Sequence, residues 1–308
     1  MKVVLCFGLT QDPIDGNSML VMRHLDMDLK DYLQQNYNKL TWKEKIQIIF
    51  DIIHAVCDLH KENVIHRDLH SGNILFDQLI QKFRISDLAF CGPPNKPLNS
   101  IYGNLPYIAP ELLCGKKTTF ASSDIYSVGM LMWEISSGQP PFICKHNYDL
   151  AINIVNGIRP KIVPGTPLKY KELMEKCWDA DPTKRPDIKT LLISYDLQPD
   201  RNFDINSSSI NSLFLSSRVY SFKDLPEPRN ATKEEQEAYH SIQIDFDLRD
   251  GLITVDSKPK RNYFNDDEKE LAVNYKKVKL NHKGDDNLNS EQGELKISDG
   301  KDINFIRI

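Results

Sequence analysis

The sequence predicts an α+β protein with a short β segment, a long helical region and a polar tail. Two stretches rich in β-formers open the chain, and apolar residues at helical spacing follow them. Near residue 195 the composition changes to Asn-, Ser-, Asp- and Lys-rich sequence. We therefore expect three regions, at residues 1–25, 26–195 and 196–308.

Composition limits the classes of function. The chain has 308 residues and is 40% hydrophobic, which is enough for the core of one or two domains. A net charge of −4 gives no electrostatic basis for binding nucleic acid or an anionic membrane, and the apolar runs are too short to span a bilayer. Six cysteines without C-x-x-C spacing indicate free thiols in a reducing compartment, so we expect a cytoplasmic location.

The first two regions predict a β-hairpin followed by a helical domain. VVLCFGLT and SMLVMRHL are joined by the turn residues DPIDGN. DLKDYLQQNY is amphipathic, and Thr41 with Glu44 forms a capping box before a long helix. ILF (74–76) and FRI (83–85) predict a short hairpin, and SSDIYSVGMLMWEISSG, apolar nearly all round, predicts a central helix. Three further helices are expected in DLAINIVNG, YKELMEKCW and DIKTLLISY.

The tail, residues 196–308, is expected to be largely disordered. Its sequence buries too little apolar surface to offset the entropy that ordering costs. Within it, Thr232 and Glu235 predict a short capped helix in TKEEQEAYH. The apolar islands SLFLSS and IQIDF are candidates for docking on another surface.

A polar cluster lies beside the short hairpin, in VIHRDLHSGNILF at residues 64–76. Asn73 follows Asp68 by five residues, and Asp87 follows it by nineteen. Two carboxylates and an amide suit Mg²⁺, and Mg²⁺ with a free carboxylate suits phosphoryl transfer. Two alternatives are a metal site on the histidines 60, 66 and 70, which lacks the helix and glutamate of H-E-x-x-H, and a purely structural loop.

Five motifs then occur in the order and spacing found in protein kinases. HRDLHSGN (66–73) resembles the catalytic loop, DLA (87–89) stands where D-F-G belongs, and APE (109–111) is complete. SDIYSVG resembles the start of the kinase F helix, and CWDADPTKRP the segment whose arginine pairs with the A-P-E glutamate. The resemblance covers about residues 3–195 and points to the tyrosine-kinase-like group, including an expanded fungal set. It implies a protein-kinase-like fold, mainly the helical lobe with a remnant of the small β lobe.

The resemblance also implies functional roles. Asp68 would accept or orient the proton of the substrate hydroxyl, while Asn73 and Asp87 would hold Mg²⁺ at the ATP phosphates. His70 stands where serine/threonine kinases carry a lysine that contacts the transferred phosphate. The residues expected around adenine are the floor residue Leu75, the gatekeeper Met22 and the hinge residues Arg23, His24 and Leu25. An ordinary edge strand would explain the last four equally well.

Other matching residues are expected to be structural. His66 and Leu88 would be buried packing residues behind the site. Asp124 would bond the backbone of the catalytic loop. Glu111 and Arg185 would form an ion pair, although Arg185 could also be a plain surface charge.

The segment 87–111 raises separate expectations. Ser100 and Tyr102 are possible phosphosites, and Arg67 is the arginine that would receive such a phosphate. Asn104 stands where serine/threonine kinases place a threonine that contacts the lysine and the catalytic aspartate. Ala89 replaces the D-F-G glycine and would cost about 1 kcal/mol if its φ were positive.

Three parts of the kinase pattern have no match in the sequence: the G-x-G-x-x-G loop, the V-A-I-K lysine and the C-helix glutamate. A two-strand remnant is also expected to leave a sheet edge unpaired. The predicted function is Mg²⁺-dependent transfer of the ATP γ-phosphate to protein Ser or Thr, with Tyr left open, under a possible upstream kinase. The alternative is a pseudokinase scaffold that binds a kinase or a substrate.

Overall fold

The computed structural model describes residues 3–12, 14, 16–93, 101–116, 121–142, 147–194, 217–250, 294–296 and 302–307. These residues fall into two compact units. The larger is built from Asp26–Leu252, and the smaller from Val4–Leu25 with the two C-terminal strands. The α+β fold class is confirmed, with helices dominant.

The helices carry most of the larger unit. They are α1 (Leu29–Asn36), α2 (Trp42–Lys61), α3 (Pro110–Leu113), α4 (Ala121–Ser137), α5 (Tyr148–Val155), α6 (Leu168–Cys177), α7 (Ile188–Ser194) and α8 (Lys233–Asp250). The capping box predicted for α2 is present, because Thr41 accepts the Glu44 N–H and the Glu44 side chain accepts the Thr41 N–H. DPTKRP, between α6 and α7, forms a loop with one 3₁₀ turn.

Helix α4 occupies the centre of the core, as its all-round apolar sequence predicts. Nearly all its residues are buried, and it packs against α2 and α6. Gly129 permits the close approach of α6, since a Cβ there would lie 2.9 Å from the Cys177 Cβ. Gly138 ends α4 with a φ of 71°, a conformation that favours glycine.

The strands form three small sheets. They are β1 (Cys6–Gln11), β2 (Ser18–Arg23), β3 (Met27–Asp28), β4 (Ile74–Asp77), β5 (Lys82–Ile85), β6 (Ile101–Gly103), β7 (Arg218–Tyr220), β8 (Glu294–Lys296) and β9 (Asp302–Arg307). In the larger unit, β3, β4 and β5 form an antiparallel sheet that contains the predicted ILF–FRI hairpin. A second antiparallel pair joins β6 to β7.

The smaller unit contains the predicted N-terminal hairpin, in which β1 pairs with β2. Its sheet has the order β1-β2-β9-β8, because β9 from the C-terminal end of the chain pairs antiparallel with β2. The edge of β2 is therefore paired, and β1 and β8 are the outer strands of the sheet. The main-chain groups of β9 satisfy the β2 edge.

Regular structure extends into the region predicted to be largely disordered. Strand β7, helix α8, β8 and β9 all lie after residue 195. The box predicted before α8 is present, because Thr232 N–H donates to Glu235 and Glu235 N–H donates to Thr232 Oγ1. The boundaries of the three regions stay a prediction. None of the helices in the described part of the chain combines the length and apolar character that a bilayer span requires.

Candidate active site

The loop that carries the polar cluster is anchored to the central helix. Asp124, in the first turn of α4, accepts the backbone N–H groups of His66 and Arg67, each at 2.9 Å. His60 Nε2 lies 2.9 Å from the same carboxylate. Asp124 is 1% exposed, so these bonds form in a low-dielectric interior and hold the loop firmly.

A second set of bonds ties the loop to the end of β5. His66 Nδ1 accepts the Asp68 N–H at 3.3 Å, and its Nε2 donates to the Ser86 carbonyl at 2.9 Å. Asn73 Nδ2 donates to the Asp68 carbonyl at 2.8 Å, and the Asn73 carbonyl accepts the Ser86 N–H. Burial lowers the pKa of His66. Since Asp87 directly follows Ser86, these bonds bring Asp68, Asn73 and Asp87 to one place.

The Asp68 carboxylate is 4% exposed and faces a hydroxyl. Its Oδ1 accepts a hydrogen bond from Ser217 Oγ at 3.0 Å. Burial raises the pKa of Asp68 to about 7, and the negative charge of Asp87 acts in the same direction, against the Ser217 hydrogen bond. Gly103, with φ of 140°, packs closely here, because a Cβ would lie 3.3 Å from Asp68 Oδ1.

His70 faces the same hydroxyl. Its Nδ1 accepts the Gly72 N–H at 3.1 Å, and its Nε2 lies 3.0 Å from Ser217 Oγ. Burial lowers the pKa of His70 to about 4. His70, which was expected to contact the transferred phosphate, therefore contacts the Ser217 hydroxyl in this structure.

The segment after β5 turns sharply at Asp87. Asp87 has a φ of 51°, and its Oδ1 accepts the Ala89 N–H at 3.3 Å. Leu88, expected to be buried, is 38% exposed, because it opens the tight turn in which its carbonyl accepts the Cys91 N–H. The positive φ belongs to Asp87 and not to Ala89, so the condition for strain at Ala89 is not met.

Arg67 holds the segment that follows. Arg67 donates to the carbonyls of Phe90 and Pro93, at 3.2 and 2.7 Å. Tyr102 stacks on Phe90 with a 3.8 Å separation of ring centroids. Ser100 lies outside the described residues, and both phosphosites stay predictions. Arg67 therefore contacts backbone oxygens in this segment, and its role toward a phosphate is untested.

Glu111 and Arg185 form a buried, bidentate ion pair. Arg185 Nη1 and Nη2 donate to Glu111 Oε1 and Oε2 at 2.8 and 2.7 Å. Their side chains are 0% and 2% exposed. Arg185 also donates to the carbonyls of Ser122 and Asp179, so it joins the start of α3 to the start of α4 and the loop after α6. It is not a surface charge.

The residues predicted around adenine belong to both units. Leu75 lies half-buried on β4, opposite Arg84 and Asp28. In the smaller unit, Met22 and Arg23 end β2 and are followed by His24 and Leu25; Arg23 N–H donates to the Leu5 carbonyl at 2.9 Å. Their roles toward a nucleotide remain predictions.

The histidine metal site finds no support in the geometry. Among the described residues, no group of three His, Cys, Asp or Glu side chains is arranged to hold a metal ion. His60 contacts Asp124, His66 contacts Ser86, and His70 contacts Gly72 and Ser217. Each of the three imidazole rings is therefore in hydrogen-bond contact with a protein group.

Sequence reasoning missed Ser217, the residue that touches both Asp68 and His70. Ser217 is the last residue of the island SLFLSS, which had been considered only as a segment that could dock somewhere. Apolar content was the one available signal, and it gave no hint of where the island would dock.

Comparison with known proteins identifies the family. A family model described as protein tyrosine and serine/threonine kinase matches residues 1–194. The chain belongs to this family. Proteins named dual serine/threonine and tyrosine protein kinase are similar to this kinase-family chain over 173 residues: 35% identical in Macaca mulatta, 36% in Mus musculus and 34% in Danio rerio. These matches cover 54% of the chain and 18 to 19% of the relatives, so it spans about a fifth of their length.

Proposed function

We propose that the chain transfers the γ-phosphate of ATP to a hydroxyl of protein Ser or Thr, with Tyr left open. One observation carries the proposal: a serine hydroxyl donates to Asp68 Oδ1 at 3.0 Å, at the residue that matches the kinase catalytic base. The family match supports phosphotransfer in general. The relatives' names, which specify both Ser/Thr and Tyr, support keeping tyrosine as an acceptor.

In this proposal, Asp68 orients the acceptor hydroxyl and takes its proton. Asp124 and Asn73 hold the loop in place through the bonds to its backbone, so the base does not have to be positioned during the reaction. His70 contacts the acceptor oxygen and fixes its orientation. These contacts arrange the nucleophile before phosphate arrives.

The donor set fits Mg²⁺. Asp87 offers carboxylate oxygens, and the Asn73 amide uses its nitrogen on the Asp68 carbonyl, which leaves Oδ1 as the atom for a cation. Bound Mg²⁺ would neutralise the charge that develops on the phosphates. Leu75, Met22, Arg23, His24 and Leu25 would line the adenine. We also propose a cytoplasmic location and an upstream kinase; the free thiols of the described cysteines support a reducing setting.

The test is phosphate transfer by the full chain. Purified protein is incubated with Mg²⁺, radiolabelled ATP and casein as a general acceptor. We expect Asp68→Asn to lower the rate by roughly 10²- to 10⁴-fold. Asp149→Asn makes the same chemical change at an exposed position on α5 and should leave the rate unchanged.

Two results would count against the proposal. Equal rates for Asp68→Asn and wild type would remove Asp68 as the base. No transfer by the wild-type chain would favour the scaffold alternative. Stabilisation by Mg-ATP that disappears in Asp87→Asn would then show that the nucleotide site is retained without catalysis.

A further inference from the structure

A segment of the tail, residues 217–240, packs against the rest of the larger unit. Beginning at β7, it contacts the end of α3, helix α5 and the loop after α6. The polar contacts include Cys114 Sγ to the Pro226 carbonyl, Tyr148 Oη to the Lys223 carbonyl, Arg229 N–H to the Val155 carbonyl and His240 to the Arg159 carbonyl. Tyr220, Phe222, Leu225, Ala231 and Tyr239 pack against the hydrophobic core. The segment is thus held by both polar and apolar contacts.

Asn230 and Gln236 make the most specific of these contacts. Asn230 Oδ1 accepts the Ala180 N–H at 2.9 Å, and its Nδ2 donates to Asp179 at 3.0 Å. Gln236 Nε2 donates to the Gly157 carbonyl at 2.7 Å, and its Oε1 accepts the Arg159 N–H at 3.2 Å. Each amide uses both its donor and its acceptor, which fixes the segment in one position.

Strand pairing places Ser217 in register with the active site. Gly103 lies opposite Arg218, and Tyr102 lies opposite Val219. Ser217 is the residue before Arg218, and Gly103 packs against Asp68 Oδ1. The hydroxyl therefore reaches Asp68 because β7 is paired with β6 as far as Gly103, directly beside Ser217.

The hydrogen bonds of Ser217 have a defined direction. His70 Nδ1 accepts the Gly72 N–H, so in the neutral ring the proton is on Nε2. His70 Nε2–H then donates to Ser217 Oγ, and the Ser217 hydroxyl donates to Asp68 Oδ1. The proton of the hydroxyl points at the base, while the second lone pair of its oxygen is left for attack on phosphorus.

We propose that Ser217 is a phosphorylation site that this chain modifies in cis. The inference rests on the proposed function. Ser217 Oγ forms a bond to the γ-phosphorus of ATP as the bond from that phosphorus to the β–γ bridging oxygen breaks. ADP leaves with that electron pair, and the Ser217 proton passes to Asp68. No co-reactant other than ATP is needed.

The tether and the product charge determine how the reaction behaves. An acceptor held on the same chain acts at an effective concentration on the order of millimolar, so its phosphorylation is first order in protein. Phosphoserine carries about −1.5 to −2 charge at neutral pH. That charge lies beside Asp68 and Asp87, and the two carboxylates repel Ser217 from the site after the transfer.

The experiment measures phosphate on Ser217 in the full chain with Mg-ATP, by peptide mass spectrometry, over a 100-fold range of protein concentration. We expect a rate constant that does not change with concentration. Labelling should be lost in Ser217→Ala and retained in the control Ser221→Ala, an exposed serine of the same segment. Asn230→Ala should slow labelling of Ser217 and leave casein labelling as fast or faster.

Three outcomes would overturn the inference, and they differ in whether the proposed kinase function is kept. Labelled casein with unlabelled Ser217 rejects the site and keeps the kinase function. A rate constant that rises in proportion to protein concentration rejects the cis reaction, because the phosphate then comes from another chain. No labelling of Ser217 or of casein rejects both proposals together.

Discussion

Glu134 lies in the interior of α4 and should make the stability of the larger unit depend on pH. It is 1% exposed, and its Oε2 accepts a hydrogen bond from the Tyr107 hydroxyl at 2.6 Å. Burial raises the pKa of Glu134 to about 7; bonds from Tyr107 and Ser71 and the charge of Lys30 oppose the shift, and Asp28 adds to it. The unfolded chain therefore releases this proton at lower pH than the folded protein does, so stability falls as pH rises through that interval.

The size of the effect follows from the two pKa values, 4.5 and about 7. The raised pKa of Glu134 lowers the free energy of unfolding by about 3 kcal/mol at pH 8 and by about 1 kcal/mol at pH 5. Glu134→Gln removes this cost and keeps an oxygen for the Tyr107 hydroxyl, while the Ser71 hydroxyl can accept from the new amide. The stability of the variant relative to wild type should therefore rise by about 2–3 kcal/mol between pH 5 and pH 8.

Thermal unfolding at pH 5, 6, 7 and 8 and constant ionic strength checks this. The difference in Tm between Glu134→Gln and wild type should grow by about 5–10 °C across the series. Tyr107→Phe is the matched comparison, because it removes a bond that lowers the pKa of Glu134 and should steepen the pH dependence of wild type. A Tm difference that is flat with pH, or that grows toward acid, would refute the reasoning.

Two further predictions concern stability. Glu111→Ala leaves the Arg185 guanidinium buried without its carboxylate and should cost about 3–5 kcal/mol in urea unfolding; a loss below 1 kcal/mol would mean that the neighbouring carbonyls suffice. Thr41→Ala removes the hydroxyl that accepts the Glu44 N–H and leaves the Glu44 side chain in place. It should cost about 1 kcal/mol by the same measurement. No loss of stability would mean that water replaces the Thr41 hydroxyl as the hydrogen-bond acceptor.

Features encoded by local signals could be predicted from the sequence. The capping box at Thr41 needs only residues three apart, and the apolar surround of α4 needs only its own seventeen residues. The meeting of Asp68, Asn73 and Asp87 is less local, but it follows from motif order and from one short hairpin. In each case the signal lies within or beside the element that forms.

Features decided by distant pairing could not be predicted. Ser217 and Asp68 are 149 residues apart, and β7 has three residues, too few for an alternating pattern to stand out. What selects β7 is the free edge of β6, a property of the folded domain. The same holds for β9, whose pairing with β2 joins opposite ends of the chain. Leu88 was misplaced because a family role was transferred to a residue that opens an exposed turn in this chain.

In the proposed transfer to Ser217, the pairing of β7 with β6 would also limit which acceptor sequences the domain prefers. Main-chain bonds are available to every extended peptide, so they select no sequence by themselves. Of the three residues after Ser217, only Tyr220 packs against the core, while Arg218 and Val219 are exposed. A peptide that pairs with β6 as β7 does would be selected by an aromatic residue three positions after its acceptor serine. The two positions between them would tolerate wide variation.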